Sequence, residues 1–210
     1  MKSRLLCAMC AFAFLYNIPL SARAELLNLV LDYPKIGVST ATRYDPNTNP
    51  LFIDFIGTTG IDFGNGVPEN IISFGGGLSA TIDEAGTLVD GTLNIGGNVA
   101  SLPGTSGTLL TGDLVAFGFS VAGTDPIDPN EGGRFEFIFT ATGGEAASLY
   151  EPNGGIVLDA TGFFGSFDTP IFSGGSGRLG NVVVLILPAI YLFGTGLIGL
   201  IGIAKRGIQS

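Results

Sequence analysis

The sequence predicts a single all-β domain, an antiparallel β-sandwich or a barrel-like closed sheet, with an N-terminal signal peptide and a C-terminal transmembrane helix. Three observations lead there. Of the 34 glycines, 29 lie between Glu25 and Asn181, a density that helices do not tolerate. Over the same stretch, short runs of β-branched and aromatic residues alternate with Gly, Pro, Asn and Asp turn signals. Both ends are apolar and basic, whereas all 18 acidic residues fall between Glu25 and Asp168.

The first element is residues 1–24. Lys2 and Arg4 precede a short apolar run, which Asn17 and Pro19 interrupt before the small-residue site Ala22-Arg23-Ala24. A basic start, a short apolar stretch and an A-x-A site are the parts of a secretory signal peptide, with Ala22 and Ala24 as the cleavage determinants and Glu25 as the new N-terminus. Cys7 and Cys10, the only cysteines, lie inside this segment. Cleavage would leave a mature chain without thiol chemistry or disulfides.

Residues 25–172 form the expected β-rich extracytoplasmic domain. Its strands are predicted near 26–31, 36–42, 51–56, 77–83, 87–95, 108–120, 134–140, 156–160 and 163–168. The clearest alternation sets Phe135, Phe137 and Phe139 against Arg134, Glu136 and Ile138, which gives that strand one aromatic, buried face. Leu78, Ala80 and Ile82 share a face in the same way, and Asp83-Glu84-Ala85-Gly86 then turns the chain into the next strand. Gly112 and Gly118 imply a bulge or bend within 108–120. Residues 173–181, opening with Ser173-Gly174-Gly175-Ser176-Gly177, have the composition of a flexible linker.

Residues 182–210 complete the chain. No charge occurs from Val182 to Ala204, and Lys205-Arg206 follows at once. A helix of that length rises about 35 Å, enough to cross a bilayer, and the basic pair orients its end toward the cytoplasm. The expected arrangement is an exported body tethered to the inner membrane.

The stretch from Leu187-Pro188-Ala189 through Leu192-Phe193-Gly194-Thr195-Gly196-Leu197-Ile198-Gly199-Leu200 to Lys205-Arg206 resembles the PEP-CTERM sorting signals, specifically their V-P-L-P-A variety. Ile186 stands where that motif has its first proline. The resemblance implies export by a Gram-negative bacterium, processing near Pro188-Ala189 by an exosortase, a place at the cell surface or in the extracellular matrix, and an association with exopolysaccharide or biofilm. Retention of the helix as a permanent anchor is the alternative fate. The segments Leu110-Thr111-Gly112-Asp113-Leu114 and Phe135-Glu136-Phe137 resemble, more distantly, the β-rich ectodomains that precede such tails; that likeness implies no activity or site.

Composition removes whole classes of chemistry. The chain has no histidine and no tryptophan, so imidazole relays and histidine-liganded metals are excluded. Formal charge is −9 overall, and residues 25–181, with only Lys35, Arg43, Arg134 and Arg178 against 18 carboxylates, carry −14. Such a surface is a poor partner for nucleic acid. A non-enzymatic role is expected, with no cofactor other than a calcium candidate at Asp125, Asp128 and Glu131, whose loop offers hard oxygen ligands. Two rivals remain: a glycan-binding module with Tyr44 and Tyr150 as exposed loop residues, and a carboxylate glycosidase drawing on Glu136 with Glu145 or Asp159.

Overall fold

The computed structural model describes residues 26–48, 50–102, 104, 107–121, 133–160, 163 and 167–183. Eight strands follow one another: β1 (Leu31–Tyr44), β2 (Pro50–Asp62), β3 (Ile72–Ile82), β4 (Leu88–Asn98), β5 (Thr108–Ser120), β6 (Gly133–Gly143), β7 (Gly154–Ala160) and β8 (Ile171–Val182). Each pairs antiparallel with its sequence neighbours, and β8 returns to pair with β1 from Leu31↔Val182 to Tyr44↔Ile171. The all-β expectation therefore resolves to a closed up-and-down barrel, whose cyclic pairing removes both sheet edges.

Strand parity sorts the barrel into an apolar inside and a mixed outside, where polar residues alternate with exposed Phe52, Ile56, Ile72, Val89, Val115 and Phe172. Phe135, Phe137 and Phe139 of β6 are fully buried, as are Ala80 and Ile82 of β3, with Leu78 nearly so. The exposed positions of the wall include Thr81, Thr92, Asn94, Asp113, Thr140 and Ser176. Among the described residues no helix is long and apolar enough to cross a membrane; residues 184–210 lie outside them, as do residues 1–25 with the signal-cleavage site.

Aromatic rings close one mouth of the barrel. Phe119 meets Phe163 at 5.2 Å and Phe167 at 5.3 Å between centroids, and Phe167 meets the Tyr44 ring edge-on at 5.3 Å. Further in, Phe117 meets Phe135 edge-on at 5.6 Å and lies tilted against Phe137 at 4.7 Å. Each such edge-to-face pair adds about 0.5–1.5 kcal/mol beyond area burial. Around the other end lie the buried Ile61, Ile71, Val99, Leu109 and Ala146, with Tyr150 from the 3-10 helix Ala147–Tyr150.

Several local expectations hold. Strand β5 spans the predicted residues and its register shifts at Thr111/Gly112 as expected; the second shift falls at Leu114/Ala116, while the pairing through Gly118 is regular. The β3–β4 turn closes by Gly86 N–H to Asp83 O at 2.9 Å and Thr87 N–H to Asp83 Oδ1 at 2.7 Å. Gly86 takes φ +81°, the left-handed conformation that favours glycine.

Three expectations need correction. Residues 173–181 are not a flexible linker but most of β8, the strand that closes the barrel. Their glycines serve packing: a Cβ at Gly177 would collide with the Leu158 side chain, and one at Gly175 with the carbonyl oxygen of Asp159. The described residues of 163–168 form no strand; Phe163 and Phe167 instead insert their rings into the aromatic plug. Residues 26–30 form an irregular strap ahead of β1 rather than a strand.

Glycine also makes room on the inside. The Phe139 ring lies across the neighbouring strands where Gly112 and Gly154 stand, and a Cβ at Gly154 would fall within that ring. Gly154→Ala is expected to destabilise the barrel by about 1–3 kcal/mol through overpacking. Chemical denaturation of the variant checks this; an unchanged midpoint would show that Phe139 has room to move.

Candidate functional site

With the interior occupied by side chains, the outer wall is the large solvent-open surface among the described residues. The strip formed by β8, β1 and β2 differs from the rest of that wall. Register places Arg43 of β1 between Phe172 of β8 and Phe52 of β2. Phe172 is 74% exposed and Phe52 40%. Two strand spacings, about 9–10 Å, separate the backbones carrying the two rings. The Arg43 guanidinium lies 5.8 Å from the Phe52 ring centroid and pairs with Asp54 at 3.1 Å. That ion pair is open to solvent and contributes little stability. The row thus offers two apolar ring faces with a cation and a carboxylate between and beside them.

From this row toward the other end of β1, the outward residues become small. Ala41 and Ser39 of β1 face Gly174 and Ser176 of β8, Gly37 faces Arg178, and Gly57 of β2 lies beside Ser39 with the exposed Ile56 next to it. The strip is therefore a shallow track, on the order of 20 Å from Arg43 to Gly37.

The track ends in a groove of about 710 Å³ between the wall and the strap. Lys35, Arg134 and Arg178 all line it, which gathers three of the four cations of residues 25–181 at one place on a strongly acidic body. Asp159 is the carboxylate in the lining, and it accepts a hydrogen bond from the Ser176 hydroxyl at 2.6 Å. The Lys35 ammonium sits 4.5 Å from the Tyr33 ring centroid.

The strap is seated by an ion pair and by missing side chains. Glu136 has outward parity on β6 yet is fully buried, because the strap covers it. Its Oε2 accepts the Leu29 N–H at 3.4 Å, and its Oε1 meets the Arg134 guanidinium at 3.0 Å. Gly155 and Gly180 provide the bed: a Cβ at Gly155 would lie 2.7 Å from Leu31 Cδ2 and 3.2 Å from Leu29 Cδ1. Val30 adds a carbonyl that accepts the Val183 N–H at 3.0 Å. Burial raises the Glu136 carboxyl above its ordinary value, opposed by Arg134 and by the backbone N–H groups of Leu29, Asn28 and Leu27.

The tyrosines expected as exposed glycan contacts are both in the core. Tyr44 ends β1 with its ring turned inward and donates its hydroxyl hydrogen to the Phe167 carbonyl at 2.9 Å. Tyr150 is fully buried, and its hydroxyl has no hydrogen-bond partner among the described residues. Burial raises the pKa of both phenols. Neither ring can stack on a sugar, because strand parity and the 3-10 turn point them into the barrel. The calcium candidates Asp125, Asp128 and Glu131 lie outside the described residues, as do Ala22, Ala24, Leu187, Pro188, Ala189, Lys205 and Arg206. Of the glycosidase carboxylates, Asp159 is paired in register with Arg134, Glu136 lies under the strap, and Glu145 lies beyond the opposite end of β6.

No family model, no curated protein and no solved structure matches the chain.

The residues that make this wall distinctive went unrecognised in the sequence. Phe52 had one usable signal: Asp54, two positions on, marks the outward parity of β2 and carries Phe52 and Ile56 with it. Phe172 had none, since it stands beside a Gly/Ser run with no period.

A folded-state pKa raised by burial means that the fold prefers protonated Glu136. Its contribution to stability is complete below the unfolded value of about 4.5 and is lost as pH rises through the folded value. Glu136→Gln keeps an acceptor for the strap but does not titrate. The melting temperature of the native chain should therefore fall relative to this variant between pH 4 and pH 8; a constant difference would contradict it.

Proposed function

We propose that this chain is an exported, exosortase-sorted protein of the cell surface or extracellular matrix of a Gram-negative bacterium, non-enzymatic, which holds exopolysaccharide on the outer wall of its barrel. The address rests on the order of signals in the chain: the A-x-A site at Ala22 and Ala24, the sorting-like motif at Leu187, Pro188 and Ala189, the apolar run, and the basic end at Lys205 and Arg206. Polysaccharide binding rests on one observation, the exposed row Phe52–Arg43–Phe172 facing solvent across three strands. Sugar rings present apolar faces to aromatic side chains and hydroxyls to charged ones, and this row carries both groups on a rigid sheet.

Binding is favoured over catalysis because Glu136 is covered by the strap and paired with Arg134, Asp159, the cross-strand neighbour of Arg134, accepts from Ser176, and Glu145 lies beyond the far end of β6. Phe52→Ala with Phe172→Ala is expected to lower retention of the protein on immobilised exopolysaccharide at least tenfold. Because both side chains are open to solvent, the melting temperature should shift little. Retention unchanged by the double substitution would place the glycan elsewhere. The address is tested separately by intact mass of protein recovered from membrane and medium. A mature form beginning at Glu25 and ending near Pro188 is expected; one still running from Met1 to Ser210 would contradict both export processing and sorting.

A further inference from the structure

The cationic groove asks for a ligand of its own. Residues 25–181 carry 18 carboxylates and four basic side chains, yet three of the four line this one groove. Arg134 is committed to buried Glu136. Lys35 and Arg178 make no ion pair among the described residues, although acidic side chains are plentiful on the body. Asp62 stands opposite Lys35 in register and Asp159 lines the groove, yet neither carboxylate closes an ion pair with Lys35 or Arg178. Cations left without an ion-pair partner at the edge of a groove match a ligand that brings its own negative charge.

We propose that this groove binds the oxyanion groups of an acidic polysaccharide, through Lys35 and Arg178, and so gives the wall its preference among glycans. The inference rests on the polysaccharide reading above and deepens it. The Arg178 fork matches the geometry of a carboxylate or sulfate, and Lys35 of β1, whose stem lies beside Gly180 of β8, supplies a point charge. The groove continues into the small-residue track that leads to Phe172, Arg43 and Phe52, so one extended chain meets cations at one end and aromatic faces at the other. The acidic remainder of the body opposes approach only weakly near physiological salt, where screening acts over about 8 Å. Lys35, Arg134 and Arg178 line the groove with Asp159, which Ser176 holds; Glu136 is taken up by Arg134, and Asp62, opposite Lys35, accepts the Gly64 N–H at 2.8 Å.

The test is chromatography of the full-length chain in detergent over resins bearing polygalacturonate, dextran sulfate, unmodified dextran or DNA. Retention on the acidic saccharide resins should exceed that on dextran at least tenfold and fall as salt is added. Lys35→Gln with Arg178→Gln should abolish that excess without shifting the melting temperature. Retention on polygalacturonate alone assigns a carboxylate ligand, and equal retention on dextran sulfate assigns any saccharide oxyanion; both uphold the inference. Equal retention on DNA would make the groove a general polyanion site and overturn it. If dextran is retained and the acidic resins hold no better, this inference fails while the polysaccharide reading stands. If no saccharide resin retains the chain, both fail.

Discussion

The filling of the barrel by aromatic rings is the constraint on which the rest depends. An eight-stranded barrel encloses a space that side chains can just fill or that can hold one small ligand. Here Phe117, Phe119, Phe135, Phe163 and Phe167 occupy one end and Tyr150 lies under the other, so the inside is a core. Among the described residues, recognition then falls to the wall and not to the interior. That wall is rigid, because each strand is bonded on both sides and the circle closes between β1 and β8.

Glycine is the other half of the same packing. Rings as large as Phe139 fit inside only where neighbouring strands give up a Cβ, as at Gly112 and Gly154. Outside, glycines at 155 and 180 let the strap lie against the wall, Gly37 makes room for the Thr59 side chain, and those at 57 and 174 keep the track along β1 shallow. One residue type thus serves two ends in this fold: close approach within the core and a smooth path across the surface. A composition that reads as flexible becomes, in a closed sheet, a packing device.

The strap links the two proposed parts of the wall to the chain's topology. Glu136 and Arg134 are a desolvated pair whose worth comes from the backbone N–H groups that the strap brings to the carboxylate. By covering Glu136, the strap leaves Lys35 and Arg178 as the cations turned to solvent in the groove. The site proposed for acidic glycan is in this sense made by residues 29–31 as much as by the sheet beneath them. Its address and its binding surface are independent arguments, one read from the ends of the chain and one from the wall.

Local order was legible in the sequence wherever period and turn chemistry agreed. The Phe135, Phe137 and Phe139 face, the Leu78, Ala80 and Ile82 face, the Asp83 to Gly86 turn and the span of β5 all follow from a period of two and a left-handed glycine. The choice between sandwich and barrel, the strand identity of Ile171–Val182, and the side on which Tyr44, Tyr150, Phe52 and Phe172 lie were decided only by tertiary structure. The reason is physical. A glycine-rich run carries no hydrophobic period of its own, so it becomes a strand only when two neighbours supply hydrogen-bond partners and the side chains that fill its gaps. Which face of a strand is buried depends likewise on register and closure, and those are set by residues more than a hundred positions away.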